Sequence, residues 1–374
     1  MNHPLQTLTA AVCMLSLFSC SQKTAQPIPG VDSGKRITVN IGLDEETTKS
    51  EYAARKDFQI NSIQVFVFDE QQALETDYYS AITPTQGSTS VTVATFTGPK
   101  TVYAIVNHSR ITFPKDTPMS TLEERLTDLS ENTPTNLVMS GKNTLTVLEY
   151  DKNKNATASP QSLNIYVKRL SSMIVLDKIT VDFSKTSLAG ASFTVKELYL
   201  KNVVGKSRLG MSGLTGSAGS MVLPLPLSDG EHTNYSYWYN KGSKQASGAP
   251  AVTFDVWSRD CPNVSGGASS IGRCLFAYPN KTTGDSHADS FDQRKTRLVL
   301  KAHVKKASVV DTDTYYVFDL PVLLANNVYN IQNITLTMLG KDNDNTDDDL
   351  QSGRITPTIT VDAWTNTTHL TYDF

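Results

Sequence analysis

Apolar and polar positions alternate with period two along most of this chain. In RITVNIGL, Ile37, Val39, Ile41 and Leu43 share one parity and Thr38, Asn40 and Gly42 the other, which predicts a strand with one buried face. The charged stretch DEETTKSEYAARKDFQ has no strand pattern. In INSIQVFVFDE, Ile63, Val65 and Val67 are opposed by Phe66 and Phe68, so this strand is expected to be buried on both faces. Further strands are predicted at STSVTVATF, KTVYAIVNH, NLVMSG and NTLTVLEY, before a low-complexity stretch, DKNKNATASPQ. A second series runs through SLNIYVKRL, SSMIVLDKITVDF, FTVKELYLKNV, GSMVLPLPL, AVTFDVWS, CLFAYPN, TRLVLKAHV, TYYVFDLPV and NVYNIQNITLTML.

The best helix candidate is STLEERLTDLS. Ser120 can cap it, Glu123 completes a capping box, and Leu122, Leu126 and Leu129 recur at helical spacing. Many short strands and almost no helix predict an all-β fold of sandwich type. The pattern resumes in GRITPTITVDAWTNTTHLTYDF: Ile355, Pro357, Ile359, Val361 and Ala363 share one parity, and Leu370, Tyr372 and Phe374 share another after the polar TNTT. Two short strands joined by a turn are expected there.

Charge adds an exclusion. The 34 basic and 37 acidic side chains of the 374 residues leave a net charge of −3 with no basic stripe, which argues against a nucleic-acid partner. The apolar run from Leu8 to Phe18 is too short to span a bilayer and suits the hydrophobic region of a signal peptide, residues 1–19. It ends in LFSC, which resembles the lipobox of bacterial lipoproteins and makes Cys20 the expected lipidation site, followed by a polar leash over 20–36. The alternative is an ordinary signal peptide with an incidental cysteine. Removing the signal discards Cys13, and lipidation consumes Cys20. Cys261 and Cys274 remain, flanking a Gly/Ser-rich loop, and a disulfide between them is expected in an oxidising compartment.

No catalytic set stands out. The six histidines are scattered, and neither a nucleophile elbow nor a phosphate-cradling loop is present. The sequence therefore predicts no enzyme, no cofactor and no metal. DNDNTDDD places Asp342, Asp344 and Asp348 at alternate positions, but a calcium loop would need Gly and Glu where Asp347 and Gly353 stand. A solvated acidic hinge is the simpler reading. YSYWYN (235–240) could form a stacking platform for sugar rings, although aromatics serve ordinary packing as often.

The order of these parts resembles the fimbrillins of Bacteroidia, the type V pilin family. Its local matches are KTVYAIVNHS, VKRLSSMIVL, NNVYNIQNITLTMLG and ITPTITVDAW. The resemblance implies two transthyretin-like β-sandwich domains, over 37–162 and 163–340, with an acidic hinge and donor strands over 341–374. It further implies an outer-membrane lipoprotein precursor that a trypsin-like, arginine-specific protease cuts after the first strand. Losing Ile37, Val39, Ile41 and Leu43 would open a groove, filled by the tail of another copy or a related subunit through Ile355, Pro357, Ile359, Val361, Ala363, Leu370, Tyr372 and Phe374. Four aliphatic side chains at about 1.5–3 kcal/mol each make this a loss of roughly 6–12 kcal/mol of burial. Cutting after Arg36 would leave the strand attached, so the expected bond is Arg55–Lys56. The implied function is a fimbrial shaft subunit supporting adhesion. The alternatives are a tip or accessory adhesin and a glycan-binding outer-membrane lipoprotein.

Overall fold

The structure is a computed structural model, and it describes residues 35–43, 59–133, 135–148, 161–216, 222–232, 234–239, 256–261, 268–282, 294–343 and 360–363. In chain order the first strands are β1 (Lys35–Leu43), β2 (Gln59–Phe68), β3 (Leu74–Gln86), β4 (Ser88–Thr95), β5 (Gly98–Val106), β6 (Leu126–Asp128), β7 (Met139–Val147) and β8 (Gln161–Arg169). Then come β9 (Ser172–Val181), β10 (Ser192–Lys201), β11 (Val203–Val204), β12 (Lys206–Arg208), β13 (Trp238–Tyr239) and β14 (Val256–Cys261). The last are β15 (Ala268–Ala277), β16 (Arg297–Lys306), β17 (Val310–Asp319), β18 (Asn327–Ile331), β19 (Ile334–Leu336) and β20 (Thr360–Ala363).

Seven strands form one sheet in the order β3-β2-β5-β7-β8-β1-β4. Its two outermost strands, β3 and β4, are joined through the single residue Gly87, whose φ of +82° suits glycine. The sheet must therefore curl until its edges meet. Inside the curl lie Ile37, Val39, Ile41 and Leu43 with Ile63, Val65, Val67, Val102, Ala104, Ile165 and Val167. The expected boundary at 162/163 falls within β8, which belongs to this sheet, so the N-terminal sheet runs on through Arg169.

The following strands form a four-stranded sheet, β14-β10-β16-β17, and a second sheet, β15-β9-β18-β20, with β19 also along β9. A larger core fills this part, drawing Phe193, Val195 and Leu200 from β10 and Ile174 and Leu176 from β9. Alternation explains how the two cores touch. On β9, Met173 and Val175 turn to the first core and Ile174 and Leu176 to the second. On β2, Val65 and Val67 face inward while Phe66 and Phe68 join the second core, as expected for a strand buried on both faces.

Several elements depart from the sequence pattern. The predicted helix is a single turn, Met119–Glu123, capped by no side chain. Glu123 turns instead to Lys142, at 2.7 Å, and to the Tyr103 hydroxyl. The real capping box lies on the next 3-10 turn, Leu129–Glu131, where Asp128 and Glu131 exchange bonds. Leu126 is in a strand because β6 pairs with β12. NLVMSG and NTLTVLEY are one strand, β7, continuous through Gly141, where a Cβ would stand 2.8–2.9 Å from Thr215 Oγ1, Ile165 Cγ2 and the Tyr166 carbonyl. Among the described residues, Val222–Leu227 make only an isolated bridge at Pro224–Met211, since proline cannot donate to a ladder.

Asp128 ties these irregular parts together. It accepts hydrogen bonds from Ser130 N at 2.9 Å, from the Lys206 ammonium and from the Tyr239 hydroxyl. Burial alone would raise its carboxyl, but the bonds from Lys206, Tyr239 and Ser130 outweigh burial and hold it at about 2. Its contribution is thus complete above the unfolded value near 3.8 and is lost as pH falls toward about 2. With the side chain 23% exposed, Asp128→Asn is expected to cost about 1–2 kcal/mol at neutral pH and little at pH 2. Thermal melts of both proteins at the two pH values check this; a gap of equal size at both would contradict it.

Candidate functional site

The four aliphatic residues of β1 define the site. Ile37, Val39, Ile41 and Leu43 are between 0% and 4% exposed, because β1 lies inside the sheet. It runs antiparallel to β4 from Lys35↔Thr95 to Gly42↔Ser88, and parallel to β8 from Ile37↔Gln161 to Leu43↔Val167. Its polar parity faces outward, where Asn40 Nδ2 donates to Asn164 Oδ1 at 2.9 Å. Where β1 ends, a cleft of about 560 Å³ is lined by Asn40, Gly42, Gly87, Ser88, Asn164 and Tyr166.

This strand is interior in space but the first of the described strands in sequence. A cut anywhere over 44–58 severs its link to β2 without breaking another described element. Its departure would uncover two ladder edges together, on β8 and on β4, along with the buried side chains of Leu163, Ile165, Val167 and Val93 beside it. An uncovered pair of edges over an apolar floor is a template for a strand of matching parity.

The far wall of that slot is β4, STSVTVAT, of which only Val93 and Thr95 are fully buried. Its end is fastened by Glu75 on β3. Thr95 Oγ1 donates to Glu75 Oε1 at 2.5 Å, and Phe96 N at 2.7 Å. Lys100 Nζ on β5 donates to Glu75 Oε2 at 2.5 Å, with the two side chains 4% and 7% exposed. Sequence reasoning missed both this carboxylate and the strand that carries it. The only signal was the alternation of Leu74, Thr76 and Tyr78 in LETDYYSAITPTQ, diluted by Glu75, Asp77 and Pro84.

Other expected positions are scattered. Cys20, Arg55, Lys56, Ile355, Pro357, Ile359, Leu370, Tyr372 and Phe374 lie outside the described residues. Arg36 is exposed on β1. Val361 and Ala363 belong to β20, which pairs antiparallel with β18 from Asn327↔Ala363 to Asn330↔Thr360 at the sheet's edge. Cys261 ends β14 opposite Phe193, and Cys274 lies in β15 opposite Val175, in different sheets. Of the acidic run, only Asp342 and Asn343 are described.

The aromatic segment is not an open platform over its described part. Trp238 is 1% exposed and donates Nε1–H to the His232 carbonyl at 2.9 Å. Tyr239 gives its hydroxyl to Asp128, and burial with that carboxylate beside it pushes its phenol well above the usual range. Among the described residues, no group of three or more His, Cys, Asp or Glu side chains could hold a metal ion.

The sequence profile of the major fimbrial subunit protein family (FimA) matches residues 36–179, from β1 into β9. No curated protein matches the chain. A candidate cell adhesion protein from Parabacteroides distasonis shares the fold with a TM-score of 0.56 at 17% identity, over 88% of this chain and 99% of that one. A second candidate cell adhesion protein, from Bacteroides eggerthii, gives 0.55 at 17% identity, over 88% and 96%.

Proposed function

We infer that this chain, whose residues 36–179 match the major fimbrial subunit family, is a polymerising subunit of a surface fimbrium. That family is one of structural subunits, not enzymes. In this reading the chain reaches the outer membrane as a lipoprotein held at Cys20. A trypsin-like, arginine-specific protease cuts Arg55–Lys56 and releases β1 with the anchor. The tail of another copy, or of a related subunit, then enters the vacated slot, and the resulting fibre supports adhesion.

One observation carries the proposal: an interior strand that is covalently expendable. Before cutting, β1 is tethered to its slot through residues 44–58. A short tether holds a strand at an effective concentration on the order of millimolar, so β1 rebinds faster than any donor arrives. After cutting, that concentration falls to the bulk value. Proteolysis thus converts a self-complemented sheet into an acceptor without changing a contact elsewhere.

A shaft role needs both an acceptor slot and a donor tail, and the sequence supplies a candidate for each. A tip or accessory adhesin needs no donor tail. The glycan-binding alternative loses support because Trp238 is buried and Tyr239 is engaged with Asp128. Amino-terminal sequencing of protein released from the cell surface tests the proposal. A chain beginning at Lys56 is the expected result, and an acylated Cys20 chain as the sole form would reject it. The same unreduced peptide map should show Cys261 joined to Cys274, the bridge this reading assigns to the mature subunit.

A further inference from the structure

Removing β1 leaves β4 in an unusual position. Its neighbours in the sheet are β1 on one side and the seam with β3 on the other, and no ladder bonds cross that seam among the described residues. Without β1, β4 keeps its covalent link through Gly87 at one end. At the other end Phe96 and Thr97 join it to β5, and Thr95 and Phe96 keep their hydrogen bonds to Glu75. Between them only Val93 is a fully buried apolar side chain, with Val91 packed alongside. Such a strand should fray once its partner is gone.

We propose that Glu75 is a positioning residue for strand uptake: it pins the end of β4 that turns into β5, so that the slot stays open at strand width after β1 leaves. The inference rests on the strand-donation reading above. The geometry suits the role. Glu75 Oε1 takes both bonds from β4, while Oε2 takes the Lys100 ammonium of β5, a strand well inside the sheet. The carboxylate therefore bridges the wall to the body of the sheet across the seam. None of these atoms belongs to β1, so the clamp persists when β1 is released. Charge-assisted bonds of this kind, shielded from water, are stronger than neutral ones. The clamp also sits where β1 begins, beside Lys35↔Thr95. A donor running in the direction of β1 would meet the fixed end of the wall first and close the ladder toward Gly87.

Glu75→Ala alone would leave the Lys100 ammonium buried without its counter-charge and could unfold the chain. The informative variant is Glu75→Leu together with Lys100→Met, which removes the clamp without orphaning a charge. Full-length precursors, cut with limiting trypsin, are mixed with a synthetic peptide of residues 355–374. The double variant should match the wild type in circular dichroism before cutting but take up the peptide at least ten-fold more slowly afterwards. Glu75→Gln together with Lys100→Met keeps an acceptor for Thr95 and Phe96 without orphaning a charge, and should stay within about threefold of wild type. Equal uptake by the Glu75→Leu double variant and the wild type would overturn the proposal. Failure of cut wild type to take up peptide would instead reject strand donation itself. Hydrogen exchange on the cut wild type provides a second reading without any variant. The amide of Phe96 should stay protected while those from Ser88 to Thr92 exchange freely, and equal exchange along β4 would also overturn the role of Glu75.

Discussion

Arg55→Ala is expected to yield a folded, lipidated monomer that forms no fibres, a change from nearly complete assembly to none. The reason is competition within one chain. In the uncut protein β1 makes ladder pairs with both β4 and β8 and buries four aliphatic side chains. At about 1.5–3 kcal/mol per side chain, a donor of similar strength gains nothing by displacing a strand that remains tethered beside its slot. Arg36→Ala should assemble normally, since a cut there would leave Ile37–Leu43 attached. The two outcomes are read by boiling-resistant ladders on denaturing gels. Mixed with mature wild type, the Arg55→Ala chain should appear only at fibre ends, because it can donate its tail but not accept one. Ladders formed by Arg55→Ala alone would show that activation occurs at another bond.

How much of this was legible in the sequence depends on what decides each element. β1 reads cleanly because its parity is unbroken and one face is wholly buried. The double-sided burial of β2 was equally direct, since each parity meets a different core. β3 was invisible for the opposite reason. It is an outermost strand of a curled sheet, half-buried along much of its length, and its decisive residue is a carboxylate. Burial of Glu75 depends on Lys100 and on Thr95, some 20 and more residues away, and no local pattern announces such a partnership. The failed helix teaches the same lesson. Ser120 and Glu123 have the spacing of a capping box, but Glu123 is drawn to Lys142 and Tyr103, and Leu126 to the β6–β12 pairing. Tertiary partners overrode a favourable local signal.

Deleting residues 355–374 should leave a folded protein that can accept a donor but cannot become one. In the structure the described part of this tail, β20, adds four residues to the edge of a sheet through β18 alone. The neighbouring ladder between β18 and β9 does not need it. Losing an edge strand of this length exposes a short row of backbone groups on β18, so the melting curve should shift by only a few degrees. The effect on assembly should be far larger. On the strand-donation proposal the slot left by β1 would take a strand of matching parity, and Ile355, Pro357, Ile359, Val361 and Ala363 share one parity. Pro357 has no N–H to give a ladder and belongs near the strand's start. In mixtures, truncated chains should cap growing fibres at one end and shorten them in proportion to their fraction, as measured by electron microscopy. Ile359→Asp with Val361→Asp tests the same step in a full-length chain, because it would place charges against an apolar floor at a cost of several kcal/mol. Both variants should keep the wild-type circular dichroism and form no long fibres by themselves. A truncated chain that unfolds as a monomer would assign the tail to its own core, and one that still builds long fibres would require a different donor.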